Sequence, residues 1–245
     1  MKAFALGSKA GSFDLREIDI ADPSPSTDQV LVRVHAVGVT PTELLWYSST
    51  HNKDGSARAN AVPGHEFSGI VESIGSQATD FVPGDAVFGM NDWFLDGATA
   101  DFCVASEKDI VAKPASLSHT DAAAIPIAAL TGWQGLVDHG RIKAGDRVLI
   151  VGAGGSVGLM AVQIAVMHGC RVIASASPSQ ADTLKELGCE HVLDYKTQAF
   201  EDHLKDLDVV FDAIGSDTLA RAKPLLVEGG RMVTIAADPK TATIR

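Results

Sequence analysis

The sequence predicts an α/β protein in two parts: a β-rich first half, and a second half in which strands and helices alternate. Short β-branched runs bounded by Gly, Pro, Asp and Ser occupy the first half. After Pro114 the chain turns Ala-rich and helical. From Arg147 onward apolar strands recur between helical segments, the pattern of a parallel sheet covered on both faces. A length of 245 residues suffices for one large or two ordinary domains with ample core.

Val30-Leu31-Val32-Arg33-Val34-His35-Ala36-Val37 and Gly69-Ile70-Val71-Glu72-Ser73-Ile74 read as strands. Phe81-Val82-Pro83-Gly84-Asp85-Ala86-Val87-Phe88 sets a Pro-Gly turn ahead of another. Residues 44–49 read as a single helical turn, and the polar residues 52–60 as a mobile loop. Residues 117–140 form a helical stretch interrupted at Pro126, with Ser118 or Thr120 as its N-cap. Strands are then expected at 147–151, 171–175, 191–194, 209–213 and 231–236. Helices are expected at 157–168, 180–187, 201–204 and 218–226. The domain boundary is placed within the helical stretch, giving 1–125 and 126–245.

Composition narrows the function classes. The net charge is −11 with no Lys/Arg cluster, which argues against a nucleic-acid partner. No hydrophobic leader follows Met1-Lys2-Ala3 and no apolar run reaches spanning length, so no membrane association is expected. Cys103, Cys170 and Cys189 are odd in number and unclustered, which makes a reducing cytoplasm the expected compartment.

The chemistry concentrates at one turn. Val148-Leu149-Ile150-Val151 is a continuous apolar run, as a strand buried on both faces should be. It enters Gly152-Ala153-Gly154-Gly155-Ser156-Val157-Gly158 and then an apolar helix. Glycines let the backbone turn tightly and let a pyrophosphate approach backbone N–H groups. The helix N-terminus adds unpaired donors and partial positive charge. This is the pattern of a nicotinamide dinucleotide site. A tight turn without ligand would need one Gly, not several. Gly154-Gly155-Ser156-Val157-Gly158 also fits the G-x-S-x-G nucleophile elbow, but that fold needs an acid and then a His downstream. The last His is His203, and none follows Asp212 or Asp238.

The glycine register is Gly152, Gly155 and Gly158, one residue longer than G-x-G-x-x-G, since position 157 is Val. An NAD site usually ends its second strand in an acid that binds the ribose 2′-hydroxyl. Here that strand ends Ala174-Ser175-Ala176-Ser177-Pro178, with no acid before Asp182. NADPH is therefore expected over NADH.

These residues resemble the medium-chain dehydrogenase/reductase superfamily, in its zinc-free quinone oxidoreductase-like branch. The similarity runs over essentially the whole chain. It is carried by Gln29-Val30-Leu31-Val32-Arg33-Val34, Gly38-Val39-Thr40-Pro41-Thr42-Glu43 and Pro63-Gly64-His65-Glu66-Phe67-Ser68-Gly69. Pro83-Gly84-Asp85-Ala86-Val87, Leu130-Thr131-Gly132-Trp133, Gly145-Asp146-Arg147-Val148-Leu149-Ile150 and Asp194-Tyr195 add to it. So do Val209-Val210-Phe211-Asp212 and Gly229-Gly230-Arg231. The resemblance implies a GroES-like catalytic domain over 1–125 and a Rossmann dinucleotide-binding domain over 126–245.

The resemblance also implies cofactor contacts from Thr131 near the nicotinamide and from Gly152, Gly154, Gly155, Ser156, Val157 and Gly158 on the pyrophosphate. Ser175, Ser177 and Tyr195 would surround the 2′-phosphate, with Ala213, Ile214 and Gly215 at the end of the fourth strand. Relatives often place Lys or Arg just past the second strand, where Ser179-Gln180-Ala181 is neutral; Lys185 would substitute only if its helix turns it inward. His65-Glu66 is similar to the pair that supplies a zinc ligand in the alcohol dehydrogenases of the superfamily. A catalytic zinc needs three protein ligands. The other two positions fall on the segment holding Thr40 and on Ile127, so no metal is expected and His65 reads as a hydrogen-bonded histidine. Cys103 reads as an apolar filler.

Without a Lewis acid, the chemistry expected is hydride delivery to an electron-poor carbon of a quinone or α,β-unsaturated carbonyl. Thr40 is the candidate hydroxyl donor, with a turn-forming Thr before Pro as the competing reading. Trp46, Tyr47, Trp93 and Phe94 are candidates to line an apolar substrate site, against the competing reading of ordinary core aromatics. Two alternatives stay open: a catalytically weak, redox-sensing NADP(H)-binding protein, and a zinc-type alcohol dehydrogenase. Relatives continue with a sixth strand, commonly a dimer edge. The sequence is therefore expected to be a truncated product or a short member lacking the usual last strand. Its fifth strand would be left as an exposed edge, and any homodimer would form without the usual one.

Overall fold

The computed structural model describes residues 1–7, 14–40 and 42–236. The chain divides into two compact units, Met1–Ile127 and Ala128–Arg245. The stretch from residue 237 onward, including Asp238, lies outside the described residues, as does Pro41.

In the first unit β1 (Lys2–Leu6) and β2 (Leu15–Asp19) form an antiparallel ribbon. The strands β3 (Gln29–Val37), β4 (Glu66–Ile74), β5 (Ala86–Met90), β6 (Phe102–Ser106) and β7 (Ile110–Ala112) build an antiparallel sheet in the order β6-β3-β4-β5-β7. Period-two alternation turns Val30 and Val32 inward, where they meet Phe67, Val71, Val87 and Ile110 in one core. Cys103 belongs to that core, and burial pushes its thiol pKa up, which leaves it unreactive filler. A 3-10 turn (Glu43–Leu45) and helix α1 (Tyr47–Thr50) follow β3.

Residues 52–60, expected as a loop, form a hydrogen-bonded turn. His51 bridges Ala57, Asn52 N–H donates to Ser56 O (2.8 Å), and Asp54 Oδ1 accepts the Ser56 N–H and hydroxyl. Asp and Ser supply local partners that the chain otherwise takes from water.

Helix α2 (His119–Ala123) is capped by Ser118, whose Oγ accepts the Asp121 N–H at 3.0 Å. Pro126 then opens α3 (Pro126–Trp133), at a position where its missing N–H costs nothing. Beyond Trp133 the helix widens into a π turn (Gln134–His139) rather than running on regularly. A Cβ at Gly135 would lie 2.3 Å from the Phe211 ring, so only glycine permits this approach.

The second unit alternates as expected. Strand β8 (Arg147–Val151) leads to α4 (Ser156–Met167), β9 (Arg171–Ala176), α5 (Ala181–Glu186) and β10 (His191–Asp194). After these come α6 (Phe200–His203), β11 (Leu207–Asp212), α7 (Thr218–Ala222) and β12 (Leu226–Thr234). All pairings are parallel, in the order β10-β9-β8-β11-β12. Val148 and Ile150 pack on α4 with Phe211, while Leu149 and Val151 pack on the opposite face with Phe200 and Ala222. Each such buried side chain contributes roughly 1.5–3 kcal/mol.

Strand β12 begins five residues earlier than its pattern suggests. The expected helix runs to 226 and the expected strand starts at 231, but Leu226 already pairs with Leu207 while Arg231 pairs with Val209. The ladder absorbs the extra residues as a bulge, with Gly229 at φ +77°. The connection runs from β8 outward through β9 to β10, then crosses to β11 on the other side of β8. This reversal leaves a crevice at the carboxyl ends of β8 and β11. No helix among the described residues is long and apolar enough to cross a membrane.

One contact in the first unit makes stability pH-dependent. Ser68 Oγ–H donates to Val87 O (2.9 Å), so the same oxygen must accept from His119 Nδ1–H at 2.7 Å. The ring stacks on His35. Burial, then the charges of His35 and Lys113, hold the His119 pKa below the ordinary 6.5. The folded chain therefore takes up this proton less readily than the unfolded one, and stability falls as pH drops below about 6.5. His119→Asn keeps a donor toward Ser68 without a proton to gain. Melting temperatures recorded from pH 7.5 to 5 are expected to decline less steeply in the variant than in the wild type.

Candidate functional site

A cavity of about 740 Å³ opens at the carboxyl ends of β8, β9, β10 and β11. Its floor is the turn from β8 to α4, supplied by Gly152, Gly154, Gly155, Ser156, Val157 and Gly158. One wall carries Ser175, Ser177 and Tyr195, from the ends of β9 and β10, and another carries Ala213, Ile214 and Gly215 after β11. These segments are far apart in sequence and meet because parallel strands end together.

The glycines do different work. Gly152 sits at φ +80°, a conformation that a side chain strains. Its N–H and that of Ala153 both donate to Ser175 O at 3.1 Å, binding the turn to the end of β9. At Gly158 a Cβ would fall 2.3 Å from Gly152 O and 2.6 Å from Ala153 Cα, so glycine is needed for the helix to pack against its own turn. Gly154 faces the movable Gln180 side chain, whose Cγ lies 2.9 Å from an added Cβ. Gly155 differs again. Its φ of −81° suits any residue, and an added Cβ would meet nothing closer than Gly152 O at 3.5 Å. No packing among the described residues calls for glycine there; a side chain would simply fill the cradle. Gly155 is the N-cap of α4, and no side chain caps that end. The first-turn N–H groups of α4 have no intrahelical acceptor. A cradle of free donors with the side chain removed fits a phosphate group.

Asp212, at the end of β11, organises the opposite wall. Its carboxylate is fully buried and accepts the N–H groups of Ile214 (3.0 Å) and Gly215 (3.0 and 3.2 Å) and the Thr234 hydroxyl (3.0 Å). That holds Gly215 at φ +79° and Ser216 at φ +61°, and turns Ile214 toward Gly152. The sequence signal for this residue was an acid closing an otherwise apolar strand, Val209-Val210-Phe211-Asp212. Gln180, Gln198, Phe200 and Arg221 also line the cavity, and no local pattern marks them.

Thr131 is half-buried on α3 and does not line this cavity. Lys185 is exposed on α5 and does not line it either.

The remaining candidates belong to the first unit. Thr40 is half-buried, and its carbonyl accepts the Glu43 N–H at 2.9 Å, which starts the 3-10 turn. That turn carries the Glu43 side chain inward. The Glu43 carboxylate and His65, 2% and 1% exposed, meet at 2.5 Å through Nδ1, and Gly64 N–H adds 2.7 Å. His65 Nε2 lies 3.3 Å from Leu95 O, a carbonyl that can only accept its N–H. Both ring nitrogens are thus engaged within the protein.

Trp93 packs 5.1 Å from the His65 ring and edge-on to Trp46 at 5.0 Å. Tyr47 and Phe94 stand apart from that pair: Tyr47 stacks on His51 and Phe94 receives Lys53. Glu66 accepts the Ile127 N–H at 2.8 Å, and burial first, then the Glu43 charge, raises its pKa. A Cβ at Gly38 would collide with this carboxyl at 2.2 Å. No group of three or more His, Cys, Asp or Glu able to hold a metal ion occurs among the described residues.

Residues 26–118 match the family model described as alcohol dehydrogenase GroES-like domain, and residues 156–245 match that described as zinc-binding dehydrogenase. The chain is 30% identical to human quinone oxidoreductase, covering 89% of this chain and 68% of that protein. It is 31% identical to 2-methylene-furan-3-one reductase of Solanum lycopersicum, covering 96% of this chain and 62% of that protein. The chain thus spans about two thirds of the length of these relatives. The solved quinone oxidoreductase of Coxiella burnetii superposes with a TM-score of 0.84 at 30% identity, over 95% of this chain and 74% of that one.

The glycine assignments are testable by stability alone. Gly158→Ala should lower stability by about 1–3 kcal/mol through overpacking, whereas Gly155→Ala should change it by less than about 0.5 kcal/mol. Equal losses in chemical denaturation would contradict the division of roles.

Proposed function

Because the chain belongs to the medium-chain dehydrogenase/reductase superfamily, in its quinone oxidoreductase-like group, we propose that it is an NADPH-dependent, zinc-independent reductase of quinones or α,β-unsaturated carbonyls. The observation that carries this reading is the cradle at Gly155, where among the described residues glycine serves no packing and no side chain caps the helix.

The reduced nicotinamide, when bound, supplies the hydride. The residues of the chain bind and orient. Gly154 and Gly155 let a pyrophosphate reach the N–H groups of Ser156, Val157 and Gly158. Residues 175–181 contain no acid that would repel a 2′-phosphate, and the Ser177 hydroxyl, already 2.9 Å from that of Ser179, offers it a hydrogen bond together with Tyr195. Ala213, Ile214 and Gly215, held by Asp212, form the facing wall. Thr131 is assigned to the nicotinamide end.

In the first unit, the Thr40 hydroxyl is the donor to the substrate carbonyl or the nicotinamide amide. Trp46 and Trp93 offer the flat apolar surface suited to a conjugated ring. Thr40 and Ile127 are not donors for a metal, and His65 is committed to Glu43 and Leu95. A conjugated acceptor needs no Lewis acid, since conjugation spreads the incoming charge and solvent can protonate the oxygen. The three free cysteines suit a reducing, cytoplasmic setting.

Mixed with quinones and enones, the chain should consume NADPH at a rate unchanged by chelator. Chelator-sensitive alcohol oxidation would sink the reading. Ser177→Asp should weaken NADPH relative to NADH by at least about tenfold, or about 1.4 kcal/mol. A wild type that prefers NADH would refute the cofactor assignment while leaving the reductase standing.

A further inference from the structure

A dinucleotide brings at least two negative charges into the cavity. Among the described residues that line it, only Arg221 is basic and only Asp217 is acidic. Arg221 projects from α7. Its guanidinium lies over the Phe200 ring, 4.7 Å from the centroid. Nε and Nη2 each donate to a different oxygen of Glu201 at 2.7 Å, the two-pronged geometry that fixes an arginine head in plane and direction. Among the described residues Nη1 has only Asp217, at 3.8 Å, beyond hydrogen-bond distance. One edge and one face of the guanidinium are therefore held, and the Nη1 edge retains donors.

Resting on the dinucleotide reading above, we infer that Arg221 is an anion-recognising residue of this cavity, its Nη1 edge taking a phosphoryl oxygen of the dinucleotide. Glu201 and Phe200 hold the guanidinium ready, so little side-chain freedom is lost on binding. Glu201 also offsets part of its charge, which keeps the dinucleotide releasable after each turnover. Phosphoryl oxygens occur on both the pyrophosphate and the 2′-phosphate, and the same chemistry serves either. The competing reading is a brace: a half-exposed ion pair joining α6 to α7, which contributes at most about 1 kcal/mol to stability and nothing to binding.

The two readings predict different signs. NADPH and NADH are titrated into the intact chain, following nicotinamide fluorescence, for the wild type, Arg221→Gln and Glu201→Gln, with melting curves alongside. Arg221→Gln should weaken binding by about tenfold, the scale of a lost hydrogen bond to a charged group. Glu201→Gln should tighten binding a few-fold, because its amide oxygen still accepts one bond while the arginine charge is no longer offset. A brace would give destabilisation in both variants and no tightening in either.

Loss confined to NADPH assigns the contact to the 2′-phosphate, and equal loss for NADPH and NADH assigns it to the pyrophosphate. If Arg221→Gln fails to fold, the sign of the Glu201→Gln effect decides. The inference is overturned if Arg221→Gln binds within twofold of wild type, or if Glu201→Gln fails to tighten. A wild type that binds neither dinucleotide overturns this inference together with the reading beneath it.

Discussion

The second unit is organised around one close approach, that of the first turn of α4 to the backbone of the turn that precedes it. Gly152 reverses the chain at φ +80°, and Gly158 lets the helix settle within van der Waals contact of Gly152 O and Ala153 Cα. That approach aims the open end of α4 along the carboxyl edge of the sheet, where β8 and β11 diverge. With a Cβ at Gly158 the helix would be pushed outward, and its N–H groups would no longer face the space that the strand ends enclose. A helix N-terminus offers partial positive charge only within about its first turn, so this placement decides whether the charge is useful.

The facing wall is set by a different kind of force. Asp212 is a buried carboxylate whose desolvation would be costly alone, and it is offset by backbone N–H groups and the Thr234 hydroxyl. In satisfying itself it bends residues 213–216 into conformations that are otherwise unfavourable for Ser216. The floor of the cavity is thus shaped by steric permission and the wall by electrostatic need. Arg221 and Glu201 then add a charged contact whose geometry is fixed before any ligand arrives.

The first unit shows the same logic in a smaller space. Glu43 and His65 are hydrogen-bonded out of contact with water, and Trp93 covers the ring. A His-Glu pair that in sequence suggests a metal ligand is here satisfied by a neighbouring acid and a backbone carbonyl. Glu66 turns instead to the Ile127 N–H, in a space kept open by the glycine at position 38.

Much of this was legible in the sequence. Period-two and continuous apolar runs located the strands, because burial on one or two faces leaves that trace. Spaced glycines after β8 and the hydroxyl-rich end of β9 marked the cavity floor and one wall, because each lies within a single short segment. The boundaries of β12 were not legible, since a Gly-Gly pair serves equally in a turn and in a bulge. Local pattern also cannot say which glycine is required by backbone, which by packing and which by neither. Nor can it pair Glu43 with His65 or Glu201 with Arg221, contacts 22 and 20 residues apart in sequence. Those pairings follow from where strand ends and helices converge. The sequence by itself determined the elements and the chemistry of the turn at residues 152–158, and only the tertiary structure decided which charges pair beside the cavity and which buried acids find a partner.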